Sequence, residues 1–231
     1  SSFNDITLAS DSIIEHVRTD IVDYLQEGDK FTIDRLQFNS FANPYENFYT
    51  KFSAGIFESM FGGYGGEFLY RPFNKNYAIG LEAWRVRQRD YKQDLSFRSY
   101  ETSTGHINFF YREPNSGVLF SIKGGRYLAG DSGYTFDVSR KFETGMRVGA
   151  FFSRTDISKE EFGEGAFDKG LYFSIPLDFF STTYGKRSFN WGIKPVTRDG
   201  ASVLIHGLPL FGVTDQASNW SITHSWNNIY E

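Results

Sequence analysis

Between Phe48 and Ile56 the apolar positions Phe48, Phe52, Ala54 and Ile56 fall on one side of the chain, and Tyr49, Lys51, Ser53 and Gly55 on the other. A period of two marks a strand with one apolar and one polar face. Gly62, Gly63, Gly65 and Gly66 then offer the backbone freedom of a reversal, and Phe68 and Tyr70 resume the pattern against Glu67, Leu69 and Arg71. Downstream, Ile107, Phe109 and Tyr111 oppose His106, Asn108 and Arg112, and Val118, Phe120 and Ile122 oppose Ser121 and Lys123. Tyr134, Phe136 and Val138 oppose Thr135, Asp137 and Ser139. Met146, Val148, Ala150 and Phe152 oppose Arg147, Gly149 and Ser153, with Phe151 breaking the polar side. Leu171, Phe173 and Ile175 oppose Tyr172 and Ser174.

The alternation predicts strands near 31–41, 47–58, 63–72, 77–89, 104–113, 117–127, 131–140, 144–154, 168–177 and 187–194, with a weaker pair near 202–206 and 219–227. Residues 10–27 follow another period. Ile13, Ile14, Val17, Ile21, Tyr24 and Leu25 recur at helical spacing, Ser12 and Glu15 are placed as a capping box, and Gly28 is a stop. This predicts an N-terminal segment, 1–30, with one amphipathic helix, followed by a β domain over 31–231.

Period two alone leaves two architectures open, a soluble sandwich with its apolar faces together or a membrane barrel with them turned to lipid. Connection length separates them. Tight turns are expected after Phe73, at Glu113–Gly117 and at Lys141–Gly145, and longer connections at Asp90–Ser103, Leu128–Ser132 and Thr155–Phe167. Barrels of the outer membrane alternate short and long connections in this way, and several strands reach about the ten residues that a tilted crossing needs. The expected fold is therefore all-β, an antiparallel up-and-down transmembrane β-barrel of roughly ten to twelve strands. Its apolar residues, Phe109, Phe120, Phe136, Val148 and Phe173 among them, should face outward.

Composition agrees with this and removes other classes. Phe (25) and Tyr (14) favour strands and supply lipid-facing bands. No stretch approaches the roughly 20 apolar residues of a spanning helix. The absence of Cys removes disulfide and thiolate chemistry, and a net charge of −4 without a basic run argues against nucleic acid. His16, His106, His206 and His224 form no metal motif, and no GxSxG elbow marks a serine, so neither a metal nor another cofactor is expected.

If the long connections share one mouth, they gather Arg85, Arg87, Arg89, Asp90 and Arg126 with Glu160, Glu161, Glu164 and Asp168, and with Arg198 and Asp199. Opposed guanidinium and carboxylate rows suit a charged glycan or a pore constriction, and equally an internal salt-bridge lattice. Paired acids such as Glu160, Glu161 and Glu164 are weak grounds for a glycosidase. No catalytic role is assigned.

The runs SAGIFESMFGGYGGEFLYRPF, VRQRDY, TGH, GGRYLAGD, EEFGEGAFDKGLYFSIPLD and FNWGIKPVTRDG, in that order between about Tyr49 and Gly200, resemble the YjbH-type (YbjH, GfcD-like) exopolysaccharide and capsule biosynthesis family. The resemblance implies an outer-membrane, barrel-rich protein of Gram-negative bacteria. Its partners would be outer-membrane lipid, an extracellular polysaccharide, and periplasmic or outer-membrane proteins of the same export system. Members of the family are longer, so the chain looks like a C-terminal barrel portion, in keeping with its start at Ser1-Ser2-Phe3. The expected function is to bind, pass or scaffold export of the polysaccharide without catalysis. The alternatives are an outer-membrane enzyme acting on glycan or lipid, and a soluble β-sandwich carbohydrate-binding module.

Overall fold

A computed structural model describes residues 17–27, 32–142, 144–157, 167–176, 188–193, 199–215 and 217–227. The alternating segments form ten strands: β1 (Leu36–Tyr45), β2 (Phe48–Ile56), β3 (Phe61–Tyr70), β4 (Tyr77–Arg89), β5 (Phe97–Arg112), β6 (Val118–Arg126), β7 (Ser132–Lys141), β8 (Arg147–Thr155), β9 (Phe167–Pro176) and β10 (Ser188–Ile193). They pair in sequence order in one antiparallel, up-and-down sheet. Among the described residues no ladder joins β1 to β10, so the sheet is open there. The helices are α1 (Ile21–Glu27), α2 (Leu210–Asp215) and α3 (Asn219–Asn227). Among the described residues no helix is long and apolar enough to cross a membrane.

The two faces of the sheet are partitioned opposite to those of a water-soluble protein. Phe52, Phe68, Leu81, Ile107, Phe109 and Ile122 are exposed, whereas Lys51, Glu82, Thr104, His106, Asn108 and Arg112 are buried. On β4, burial alternates without a break from Tyr77 to Gln88. The apolar side chains do not meet in a common interior. Phe109 is 42% exposed, Phe120 36% and Val148 44%, and Phe136 and Phe173 are partly covered.

The concave, polar side is filled by the chain's own C-terminal part. Residues 199–209 cross it from one end of the strands to the other and lead into α2. At the end that carries connections 57–60, 90–96 and 127–131, Ala201 N–H donates to Asp131 and Leu128 N–H to the Ser202 carbonyl. At the opposite end Asp215 accepts from both Arg71 (2.7 Å) and Arg112 (2.9 Å). Two apolar clusters flank this plug. Val17, Tyr24, Phe57, Phe61, Trp84 and Leu204 pack at the α1 end, and Leu69, Ala78 and Leu210 lie under α2, where Phe211 stacks on Phe110 at 3.8 Å.

Several sequence expectations are corrected. The weak strands near 202–206 and 219–227 are not strands. The first is extended chain without a ladder, and the second is α3, started by Ser218, whose Oγ accepts from Ser221 N–H. The glycines 62–66 lie within β3, and the reversal is Phe57–Met60. A Cβ at Gly65 would sit 2.3 Å from the Ala83 carbonyl oxygen and 2.6 Å from the Trp84 indole, so the glycine lets β4 and that ring approach closely. Strand β5 begins at Phe97, which shortens the connection to residues 90–96. Its early residues are polar on both faces and carry no hydrophobic period, yet Arg87 and Glu101 are ladder partners. The contrast between short and long connections is correspondingly weaker. Helix α1 lies within the expected 10–27, of which 10–16, with Ser12, fall outside the described residues, as does Gly28.

Burial by itself would raise the Asp215 carboxyl, but the Arg112 and Arg71 guanidiniums beside it outweigh burial and hold it below the usual carboxylate range. A depressed pKa contributes stability that is present above the unfolded value of about 3.9 and is lost as pH falls through the lower folded value. The α2 anchor should therefore hold at neutral pH and loosen only in strong acid, seen as faster amide exchange over α2 after correction for intrinsic rates. Asp215→Asn should expose Leu210 and Phe211 to chymotrypsin already at pH 7, because two buried guanidiniums lose their counter-charge, a loss of about 3 kcal/mol.

Candidate functional site

Lys51, Glu67, Glu82, His106 and Lys123 all stand on inward positions of β2–β6, a consequence of strand parity. His206 enters from the plug and joins them. Its ring stacks on Trp84 at 4.4 Å, its Nδ1 lies 3.1 Å from Lys51 Nζ and its Nε2 3.3 Å from Glu82 Oε2. Nδ1 also lies 3.2 Å from the Gly207 carbonyl, so the ring has polar neighbours at both nitrogens. Lys51 also donates to Glu67 (2.8 Å) and to the carbonyls of Gly207 and Leu208. Glu82 Oε1 accepts from His106 Nδ1 and Lys123 Nζ, both at 2.9 Å. Glu67 completes the link by accepting from Leu210 N–H at 2.8 Å. The network clips the plug to the wall.

Beside it is a cavity of about 870 Å³, bounded by the plug and by strands β3–β9. Its lining includes Lys123, Lys141, Arg147, Phe151, Tyr172 and Phe211. Tyr172 donates to Asp137 at 2.8 Å. The arrangement offers cationic groups next to aromatic surface and hydroxyls, which suits recognition of a polar, ring-shaped ligand. Among the described residues no group of His, Asp and Glu is placed to hold a metal ion.

Of the eleven residues expected at a charged mouth, the seven that the structure describes do not assemble into one. Arg85 and Arg87 are on the outward face, where Arg85 pairs with Glu101 at 2.5 Å and Arg87 donates to the Arg98 carbonyl. Arg126 is exposed at the end of β6. Arg89 is fully buried, and its guanidinium donates to four carbonyls, those of Glu58, Ser59, Gln93 and Asp94. It ties the β2–β3 turn to the β4–β5 connection. Asp90 accepts from Lys92 N–H within that connection. Asp168 is buried on β9 opposite Ser153. Asp199 is buried too, accepting from the N–H groups of Val17, Arg18 and Thr19 and from the Thr19 hydroxyl. It holds the chain that leads into α1. Glu160, Glu161, Glu164 and Arg198 lie outside the described residues. The lattice reading therefore fits Arg89 and Asp199, while Lys123, Lys141, Arg147 and His206 went unselected. The available signal was the polar side of the strands, not the charge of the loops.

The family described as exopolysaccharide biosynthesis protein YbjH has a profile that matches residues 1–216. The chain is also 38% identical over 222 residues to a protein of Escherichia coli (strain K12) named uncharacterized lipoprotein YjbH. That alignment covers 94% of this chain and 31% of the relative, so the chain spans under a third of the curated protein it matches. No solved structure matches.

Arg89 and Arg126 separate the two roles experimentally. Arg89→Met leaves four carbonyls without their charged donor in a dry site, and should lower unfolding stability by about 3 kcal/mol or more. Arg126→Gln, at the surface, should stay within about 0.5 kcal/mol of the parent. Denaturant midpoints of the two variants measure both.

Proposed function

The chain belongs to the YbjH exopolysaccharide biosynthesis family, and on that premise we propose that it forms wall and plug of an outer-membrane β-barrel that binds and guides, or scaffolds, an exopolysaccharide without breaking bonds. The observation that carries this reading is the inverted partition of the sheet. Apolar side chains stand exposed along the outward face while charged ones are buried behind them. Large contiguous exposed apolar surface needs an apolar neighbour, and a bilayer supplies one to every strand at once. The wall strands are long enough. Nine residues, as in β2, β6 and β8, cover about 30 Å along the strand.

The outward face also changes character along its length. On β4 and β5 it is apolar at Ile79, Leu81, Ile107 and Phe109, and becomes charged at Arg85, Arg87 and Glu101. Such a boundary is expected where a strand leaves hydrocarbon for the polar interface. The relative's description as a lipoprotein fits a place in the Gram-negative envelope. Closure of the open sheet edges is part of this proposal, by strands beyond the described residues or by further chain of the longer family members. A non-hydrolytic role is supported by the inward carboxylates Glu67, Glu82 and Asp215, each engaged by a cationic partner and not poised as an acid–base pair.

Phe109→Arg places a guanidinium in the middle of the outward apolar band. It should cost about 2–4 kcal/mol of stability measured by urea unfolding from liposomes. Wild-type protein that remains dispersed and monomeric in detergent-free buffer, with no uptake into liposomes, would sink the reading.

A further inference from the structure

The cavity beside the plug is lopsided in charge. On the plug side Glu67, Glu82 and Asp215 are each neutralised by a lysine or arginine within 3 Å. The remaining inward carboxylate nearby, Asp137, accepts from the Tyr172 hydroxyl and lies close enough to Arg147 for the two charges to interact. Across the cavity, Lys141 and Arg147 are ladder partners on β7 and β8, with like charges set opposite each other on one face. Neither side chain makes a hydrogen bond or a close ion pair with any other described residue. Like charges directly opposite in a sheet destabilise it unless something of opposite sign lies between them. One nearby carboxylate, Asp137, stands against these two cations, so the pair keeps positive charge for an anionic ligand.

The surroundings define what that ligand would be. Phe151 and Tyr172 stand on inward positions next to the two cations, and Phe211 of the plug faces the same space. Ser121 and Ser174 add hydroxyls. Aromatic faces take the C–H surface of a pyranose ring, hydroxyls match its hydroxyls, and a guanidinium with an ammonium takes a carboxylate. The volume of about 870 Å³ accommodates a short oligosaccharide. A lipid phosphate would satisfy the same charges, but the aromatic faces and hydroxyls beside them match a sugar ring, and the test below separates the two.

We propose that this cavity is a subsite for an acidic sugar, with the carboxylate of a uronate held between Lys141 and Arg147 and its ring against Phe151 and Tyr172. The inference rests on the polysaccharide-handling reading above and adds the charge of the polymer to it.

The test uses the intact protein in detergent micelles, titrated calorimetrically with trigalacturonate and, separately, with maltotriose, a neutral sugar of equal length. Trigalacturonate should bind and maltotriose should not. Arg147→Glu and Lys141→Glu should each weaken trigalacturonate binding about tenfold or more, and Arg147→Lys should restore much of it. Raising salt from about 50 to about 500 mM should weaken wild-type binding without any substitution, which keeps the test valid if a charge-reversal variant fails to fold. Equal binding of the two sugars, indifference to Arg147→Glu in a folded variant, or indifference to salt would overturn the subsite. So would binding of lipid A vesicles through Arg147 in the absence of any uronate effect. Liposome insertion is scored on the same samples. Insertion without uronate binding removes the subsite and leaves the barrel reading standing, whereas uronate binding without insertion keeps the subsite and removes the barrel.

Discussion

Charge buried on the concave side of the sheet is the constraint around which the molecule is arranged. Lys51, Glu67 and Glu82 are largely withdrawn from water on adjacent strands beside the buried His106 ring, and ions withdrawn from water cost several kcal/mol each unless closely paired. Strand-to-strand pairing meets part of that cost. The plug meets the rest, with the His206 imidazole, the carbonyls of Gly207 and Leu208 and the amide of Leu210. Two apolar clusters, one at each end, flank the network along the strands. A wall of this composition without its plug would hold unpaired ions on its polar face.

The outward face follows from the same alternation, since every residue that turns a charge inward places its neighbours outward. This division makes the fold and the proposed activity one problem. Where the inward ions find partners within the chain, as around Glu82, they hold the structure. Where the side chains make no bond within the chain, as at Lys141 and Arg147, they form the basis of the proposed subsite. The boundary between these two zones runs along β6 and β7, at the edge of the plug.

How much of this the sequence discloses depends on which force sets each feature. Strand number, order and facing are local consequences of period two, and the sequence shows them almost residue by residue from Tyr77 to Gln88. Turns that depend on a side chain far away in the chain are less legible. Nothing adjacent to Asp199 shows that its carboxylate caps Val17–Thr19, nor that Arg89 will be sealed among four carbonyls. Both look like mouth residues because they are charged and lie near connections. The plug misleads for another reason. Ser202–His206 is extended and so has the period of a strand, but periodicity cannot report the absence of a hydrogen-bonded neighbour. Gly117, by contrast, combines φ +68° with a Trp220 ring 2.5 Å from where a Cβ would be, and only the first of these is a local property.

The plug's position at the far end of the chain also bears on the order in which the molecule assembles. Each wall strand pairs with its immediate neighbour in sequence, so the meander closes through short loops and pays little chain entropy at each step. The plug's contacts bridge far greater separations, 182 residues between Val17 and Asp199 and 144 between Arg71 and Asp215. Loop-closure entropy therefore favours their forming after the wall that receives them. The concave surface is thus open to water during biogenesis and sealed last, by the segment that reaches it after all ten strands.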